Sequence, residues 1–255
     1  MDLGLTDKRC VVTGGSRGIG LAVAERLVEE GAWVLLVARD AERLDAAGVR
    51  LGCDVLALDV TAPDAAEAVL ATGVCDVLVN AAGSTSAIAL DDLTDAEWQA
   101  QWDVHVMAAM RLMRTLAPAM AERGWGRVVN VSSSSGKRPS TANVAYAVAK
   151  TAQLALSRAY ADAYASRGVL INAVAPGPVA GELWLGDGGL ADQLAARSGG
   201  TREQAVDAAA AKIPLGRLAT PAEIADVIVF LCSARAANVA GAAWSVDGGS
   251  VQTIV

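Results

Sequence analysis

The sequence predicts a doubly wound α/β fold, and three observations carry that expectation. Short β-branched apolar runs recur along the chain, Ala-rich stretches of helical period separate them, and each run is continuous rather than alternating. Continuous apolarity means burial on both faces, as in a parallel sheet covered by helices on each side. Ligands of such sheets bind beyond the carboxyl ends of the strands. With 255 residues and no linker composition, a single domain over residues 1–255 is expected.

In order, the strand candidates are RCVVT (9–13), AWVLLVA (32–38), DVLAL (54–58), DVLVN (76–80), RVVNVS (127–132), GVLINAVA (168–175) and AWSV (243–246). After the first, Ile19, Val23 and Leu27 mark the apolar stripe of a helix that Gly31 is placed to end. Thr94 with Glu97, and Thr220 with Pro221 and Glu223, are the pattern of capped helix starts. Long helices are expected around Trp98 to Met120 and Ala142 to Arg167. In the former, Trp98, Trp102, His105, Ala109, Leu112 and Leu116 form one inward stripe.

A net charge of −7 argues against nucleic acid as the main partner, because phosphate backbones require a clustered basic face. Uncharged runs are broken well before the length that spans a bilayer, and the opening MDLGLTDKR lacks the apolar core of a signal peptide. A soluble, cytoplasmic protein with no membrane partner is expected. Cys10, Cys53, Cys75 and Cys232 are too dispersed for a zinc ribbon or a CxxC redox site, and His105 is the only histidine. No metal site is expected.

Directly after the first strand comes TGGSRGIG, Thr13 to Gly20. Gly14, Gly18 and Gly20 let the backbone turn tightly and approach a pyrophosphate, while the following helix offers free N–H groups and a positive dipole end. The spacing GxxxGxG differs from the commoner dinucleotide fingerprint. At the end of the second strand Ala38 and Arg39 stand where an acidic residue would bind the ribose of NAD, and Arg17 lies in the loop itself. Two guanidinium groups suit a 2′-phosphate, which favours NADP(H) over NAD(H); a merely solvated Arg39 is the alternative. Asp59 and Val60 sit where a carboxylate and a backbone N–H can hold adenine.

The segment NVSSSSGKRPSTANVAYAVAK, Asn130 to Lys150, carries the chemistry. Tyr146 and Lys150, four apart in a helix, share one face. A nearby ammonium is expected to lower the tyrosine pKa, and Ser133 to donate a hydrogen bond to the substrate oxygen as charge develops there.

On these and further motifs the chain resembles the short-chain dehydrogenase/reductase family, and within it the 3-oxoacyl-acyl-carrier-protein reductases. The matching pieces are TGGSRGIG, LDV (58–60), VNAAG (79–83), NVSS (130–133), YAVAK (146–150), NAVAPG (172–177) and the close PLGRLATPAEIAD followed by VDGG. The resemblance implies one Rossmann-type domain with seven parallel strands, no metal, a homotetramer, and hydride transfer between a nicotinamide and an alcohol or carbonyl carbon. It assigns Ser133 to polarising the substrate, Tyr146 to acid/base work, and Lys150 to holding the ribose and tuning the tyrosine. It adds Ser16, Ile19, Asn80, Ala81, Ala82, Gly83, Pro176, Gly177 and Val179 to the cofactor residues already named.

Three positions depart from the family pattern. Ala81 replaces a second asparagine, Gly181 replaces a threonine that helps hold the nicotinamide carboxamide, and His105 replaces the asparagine of the catalytic tetrad. That asparagine is thought to bend its helix so that a backbone carbonyl holds a water beside the lysine. His105 is accordingly expected to act behind Tyr146, with protonation near the ordinary imidazole pKa of about 6.5 placing a cation beside Lys150.

Residues 178–213 form a Gly- and Ala-rich insertion that reads as a mobile lid. Leu183, Trp184 and Leu185 would give it an apolar inner face, and Ser135 lies beside Ser133. A 3-oxoacyl thioester or other apolar carbonyl is the leading substrate expectation. Arg127 and Arg167 resemble positions that meet an acyl carrier in related reductases. Two readings stay open beside it: an NAD-dependent dehydrogenase of a cyclic or steroid-like alcohol, and a non-catalytic dinucleotide sensor or scaffold.

Overall fold

The computed structural model describes residues 2–252; Met1, which opens the expected signal-free start, and residues 253–255 lie outside the described residues. The strands are β1 (Arg9–Thr13), β2 (Trp33–Ala38), β3 (Asp54–Ala57), β4 (Val77–Asn80), β5 (Gly126–Val131), β6 (Val169–Pro176) and β7 (Ala243–Val246). All pair in parallel, in the order β3-β2-β1-β4-β5-β6-β7, which confirms the doubly wound α/β class. The chain reverses direction across the sheet between β1 and β4, where Thr13 and Asn80 are partners in register. A crevice opens at that switch point, beyond the carboxyl ends.

Among the described residues eleven α-helices cover the sheet and its rim: α1 (Gly18–Glu29), α2 (Ala41–Leu51), α3 (Ala65–Ala71), α4 (Asp95–Trp102), α5 (Ala108–Glu122), α6 (Ser134–Lys137), α7 (Val144–Tyr164), α8 (Glu182–Leu185), α9 (Leu190–Ser198), α10 (Arg202–Ala210) and α11 (Pro221–Cys232). The central strands bury both faces. Cys10, Val12, Leu36 and Val79 pack against Val23 and Leu27 of α1, Leu44 of α2 and Ile228 of α11. Val11, Leu35 and Leu78 pack the other way, against Val69 of α3 and Leu112 and Leu116 of α5. Each fully buried Leu or Ile contributes about 1.5–3 kcal/mol relative to exposure, as an upper bound.

Local signals set the helix ends. Gly31 takes φ +79 and donates to the Val28 carbonyl at 2.9 Å, closing α1. Thr94 and Thr220 both form complete capping boxes, with Glu97 and Glu223. Among the described residues no helix is long and apolar enough to cross a membrane.

One stripe departs from expectation. Trp102 is 39% exposed, whereas Gln101 is buried with His105, Ala109 and Leu112. A π-turn over Asp103–Met107 joins α4 to α5. Its wider turn inserts a residue relative to the α-helical period, so the face that carries Leu112 downstream is continued upstream by Gln101 rather than Trp102. The segment 178–213, expected as a lid, is largely helical: Arg202 bonds Asp192 through Nε and Nη2, both at 2.6 Å, and donates to the Leu185 carbonyl at 3.1 Å, tying α8, α9 and α10 together.

Candidate active site

The cradle forms because its glycines stand where side chains cannot. Gly14 takes φ +69, and a Cβ there would lie 2.9 Å from the Ala81 carbonyl oxygen and the Ala82 nitrogen. Gly18 also has positive φ, and a Cβ on Gly20 would collide with the Gly14 carbonyl. Thr13 ties the two walls of the switch point: its hydroxyl accepts from the Ala81 and Ala82 N–H groups, each at 3.1 Å. A continuous cavity of about 1440 Å³ runs from this cradle, past Arg39, Asp59 and Val60, to Ser133 and Tyr146 under the lid. Sites for one small ligand are usually about 300–1,000 Å³, so a dinucleotide and a second molecule fit together.

At the nucleotide end charges are paired. Arg17 donates to Glu182 at 2.6 Å, and Arg43 to the same carboxylate at 3.0 Å. Arg39 lies 3.8 Å from Asp59, whose Oδ1 accepts from both the N–H and the hydroxyl of Thr61. The Thr61 bonds, together with Arg39, hold the Asp59 carboxyl below its usual range against a burial cost that opposes them. The other oxygen of Asp59, Oδ2, is the one that faces Arg39.

At the other end β5 delivers Ser133 and α7 delivers Tyr146 and Lys150. Ser133 caps α6, its hydroxyl accepting from the Ser135 N–H at 3.1 Å. Two bonds stitch the strand end to α7: Ser132 Oγ donates to the Lys150 carbonyl at 2.9 Å, and Lys150 Nζ donates to the Val131 carbonyl at 2.6 Å. Lys150 Nζ also reaches Gln153 Oε1 at 3.2 Å and stands 5.6 Å from the Tyr146 ring centre. Burial brings the lysine pKa down to about 7. The Tyr146 phenol moves up, because burial outweighs the lowering by the Ser133 hydroxyl. An ammonium aimed at a strand carbonyl gives the phenol no net lowering, contrary to the sequence expectation.

His105, 1% exposed, lies behind the tyrosine. Nε2 is 2.8 Å from the Ser84 carbonyl, an obligate acceptor, so Nε2 carries the proton and Nδ1 is a bare lone pair without a partner among the described residues. Burial, then Lys150, holds the imidazole well below its ordinary pKa. A pKa so lowered disfavours the cation that protonation near 6.5 would place beside Lys150.

The cavity gathers nearly every residue that the sequence singled out: Gly14, Ser16, Arg17, Gly18, Ile19, Gly20, Arg39, Asp59, Val60, Ala81, Ala82, Gly83, His105, Ser133, Ser135, Tyr146, Lys150, Pro176, Gly177, Val179, Leu183 and Trp184 all line it. Asn80 does not. Its side chain is buried between strands, donating to Asn130 Oδ1 at 2.8 Å. Leu185 is also off the wall, and Arg127 is buried, bonded to the Ser233, Gly126 and Gly168 carbonyls and stacked on Trp125. A guanidinium so enclosed cannot meet an acyl carrier. Sequence reasoning missed Thr13, Arg43, Asn143, Gln153 and Glu182; only Gln153, three residues from Lys150 on the same helix, had a usable signal. Among the described residues no group of three or more His, Cys, Asp or Glu side chains could hold a metal.

A glycine cradle at the switch point of a parallel sheet, in one cavity with a hydroxyl-phenol-amine set, defines a dinucleotide-dependent oxidoreductase. Comparison with known proteins agrees: residues 14–251 match the family model described as enoyl-(acyl carrier protein) reductase. The short-chain reductase NovJ of Streptomyces niveus is 36% identical over 249 residues, covering 94% of this chain and 92% of that protein. The 3-oxoacyl-acyl-carrier-protein reductase FabG of Vibrio cholerae is 34% identical, covering 97% of this chain and 98% of its own length. The L-sorbose reductase of Gluconobacter frateurii, solved with NADPH and L-sorbose, superposes with a TM-score of 0.92 at 36% identity, each chain covered in full. The chain belongs to the short-chain dehydrogenase/reductase family and is an oxidoreductase of alcohol and carbonyl groups.

Proposed function

We propose that the protein reduces a ketone to a secondary alcohol with NADP(H), using Ser133, Tyr146 and Lys150. The observation that carries this reading is that Ser133, Tyr146 and Lys150 line the same cavity as the glycine cradle. A neutral phenol, the form that burial favours, is the one that gives a proton to a product alkoxide. The cradle from Gly14 to Gly20 would hold the pyrophosphate, and Arg17 and Arg39 the 2′-phosphate. When bound, the cofactor supplies a hydride to the carbonyl carbon. Ser133 then donates a hydrogen bond to the carbonyl oxygen, and Tyr146 Oη hands over its proton. Lys150, whose Nζ stands 5.6 Å from the Tyr146 ring centre, would hold the cofactor ribose behind the tyrosine. NADPH in the solved sorbose reductase supports the cofactor choice.

For the substrate, a 3-oxoacyl thioester keeps the support of the FabG relative and of Leu183 and Trp184 on the wall, but loses that of Arg127. A second reading, a small hydroxylated ketone, is favoured by Ser84, Thr85, Ser135 and Asn143, polar residues that line the same cavity as Ser133. The Asn143 side-chain oxygen is buried without a partner among the described residues, which suits a hydroxyl donor. Four free thiols fit a reducing, cytoplasmic setting. Assembly as a homotetramer belongs to the same reading, and light scattering at four times the 25.9 kDa chain mass checks it.

Following NADPH absorbance against 3-oxoacyl thioesters, ketoses and cyclic ketones decides the substrate class. Tyr146→Phe is expected to lower turnover about 10²–10⁴-fold while NADPH binding changes little. Near-normal turnover by that variant overturns the reading.

A further inference from the structure

The ion cluster at the nucleotide end joins two parts of the chain that have no local reason to meet. Glu182 opens α8 on the lid, whereas Arg17 lies in the glycine cradle and Arg43 in the first turn of α2, separated from it by 165 and 139 positions. Nearby, Asp40 Oδ2 stands 3.3 Å from Arg43 Nε, and Asp59 faces Arg39. The arginines at 17, 39 and 43 thus meet carboxylates at 40, 59 and 182, three against three, and the cluster is neutral as it stands.

A 2′-phosphate brings close to two negative charges into that neutral group. It gains most if one carboxylate withdraws. Asp40 is fixed as the cap of α2, its Oδ1 accepting from the Arg43 N–H at 3.1 Å. Asp59 is fixed by Thr61 at 2.9 and 2.8 Å. The Glu182 carboxylate is held by the two guanidinium groups and, among the described residues, by no other bond. Behind it the lid is braced as a unit by Arg202. Across the cavity mouth the lid is held by Gln193 Oε1, accepting from the Ala87 N–H at 2.7 Å, and by Arg197, donating to the Ala142 carbonyl at 3.3 Å.

We propose that Glu182 competes with the 2′-phosphate of an adenine dinucleotide for Arg17 and Arg43, so that phosphate capture unlatches the lid and Glu182 sets the discrimination between phosphorylated and unphosphorylated cofactor. This rests on the NADP(H) reading above. Glu182 is a specificity-determining residue on the lid, and the same exchange couples nucleotide binding to access for the second molecule.

Calorimetric binding of adenosine 2′,5′-bisphosphate and of adenosine 5′-monophosphate isolates the phosphate. Glu182→Gln keeps the side-chain length and removes the charge. It is expected to bind the bisphosphate about three- to tenfold tighter than the parent does, with the monophosphate changed less than about twofold. Amide hydrogen exchange over residues 182–185 of the parent should quicken with the bisphosphate and not with the monophosphate. Equal binding of the two probes by the parent overturns the NADP(H) reading and this proposal with it. A parent preference for the bisphosphate that Arg39→Ala reduces, but that Glu182→Gln leaves unchanged or weakens, overturns the latch alone. Slower exchange on addition of the bisphosphate does so too, because Glu182 would then clamp the nucleotide rather than yield to it.

Discussion

The imidazole of His105 stands edge-on to the phenol of Tyr146, ring centres 5.1 Å apart and planes at 84°. Through this contact a residue buried from solvent packs against the phenol proposed as the acid/base group. The ring needs room on its far side. A Cβ on Gly83 would lie 2.7 Å from His105 Cε1, so glycine at 83 and histidine at 105 are a matched pair.

Gly83→Ala is therefore expected to destabilise the fold by about 1–3 kcal/mol through overpacking. Adding His105→Ala to it should recover part of that loss, giving a coupling that urea unfolding of the four proteins measures. His105→Asn should lower kcat without moving the acid limb of the pH profile, because burial and Lys150 hold the imidazole pKa well below its ordinary value. Stability carries the titration instead. The folded pKa is depressed, so below about pH 6.5 the unfolded chain binds a proton that the folded protein refuses, and the parent loses stability as pH falls while the variant loses less.

Lys150 provides a second pH test. Its pKa falls from 10.5 unfolded to about 7 folded, so between those values the unfolded chain holds more protons. Stability from this group then rises with pH across that window, by at most about 1.4 kcal/mol per pH unit. Lys150→Met should show a flatter climb in urea midpoint between pH 7 and 9 than the parent. The slope is the readout, since the variant also gives up the bonds to Val131 and Gln153.

Thr13→Val keeps the side-chain shape and removes the acceptor shared by the Ala81 and Ala82 N–H groups. Leaving those donors unpaired should cost about 1–3 kcal/mol in urea unfolding. NADPH affinity, followed by fluorescence titration, should fall in the same variant, because the wall facing Gly14 loses its tether.

Much of the fold was legible because a parallel strand covered on both faces is predominantly apolar, and β1, β2, β4, β5 and β6 are written that way apart from single polar residues such as Asn80, Arg127, Asn130 and Asn172. β3 is mostly exposed, and the expected DVLAL run overshoots it by Leu58. The cradle and Tyr146 with Lys150 were legible because their chemistry lies within one local spacing. The tilt of Trp102 out of the stripe was not. A stripe assumes a constant rotation per residue, and the π-turn at His105 breaks that assumption.

By itself the sequence determined the layers, the glycine loop and the helix caps, and it placed Tyr146 and Lys150 on one helix face, since each depends on contacts within a few residues or on which faces must leave water. Tertiary structure alone decided that Asn80 and Arg127 serve the core, that Tyr146 is held as a neutral phenol and Lys150 near pH 7, and that Glu182 reaches Arg17. The reason is common to all of these. Desolvation and charge pairing depend on what surrounds a group in space, and chain neighbours do not record that surrounding.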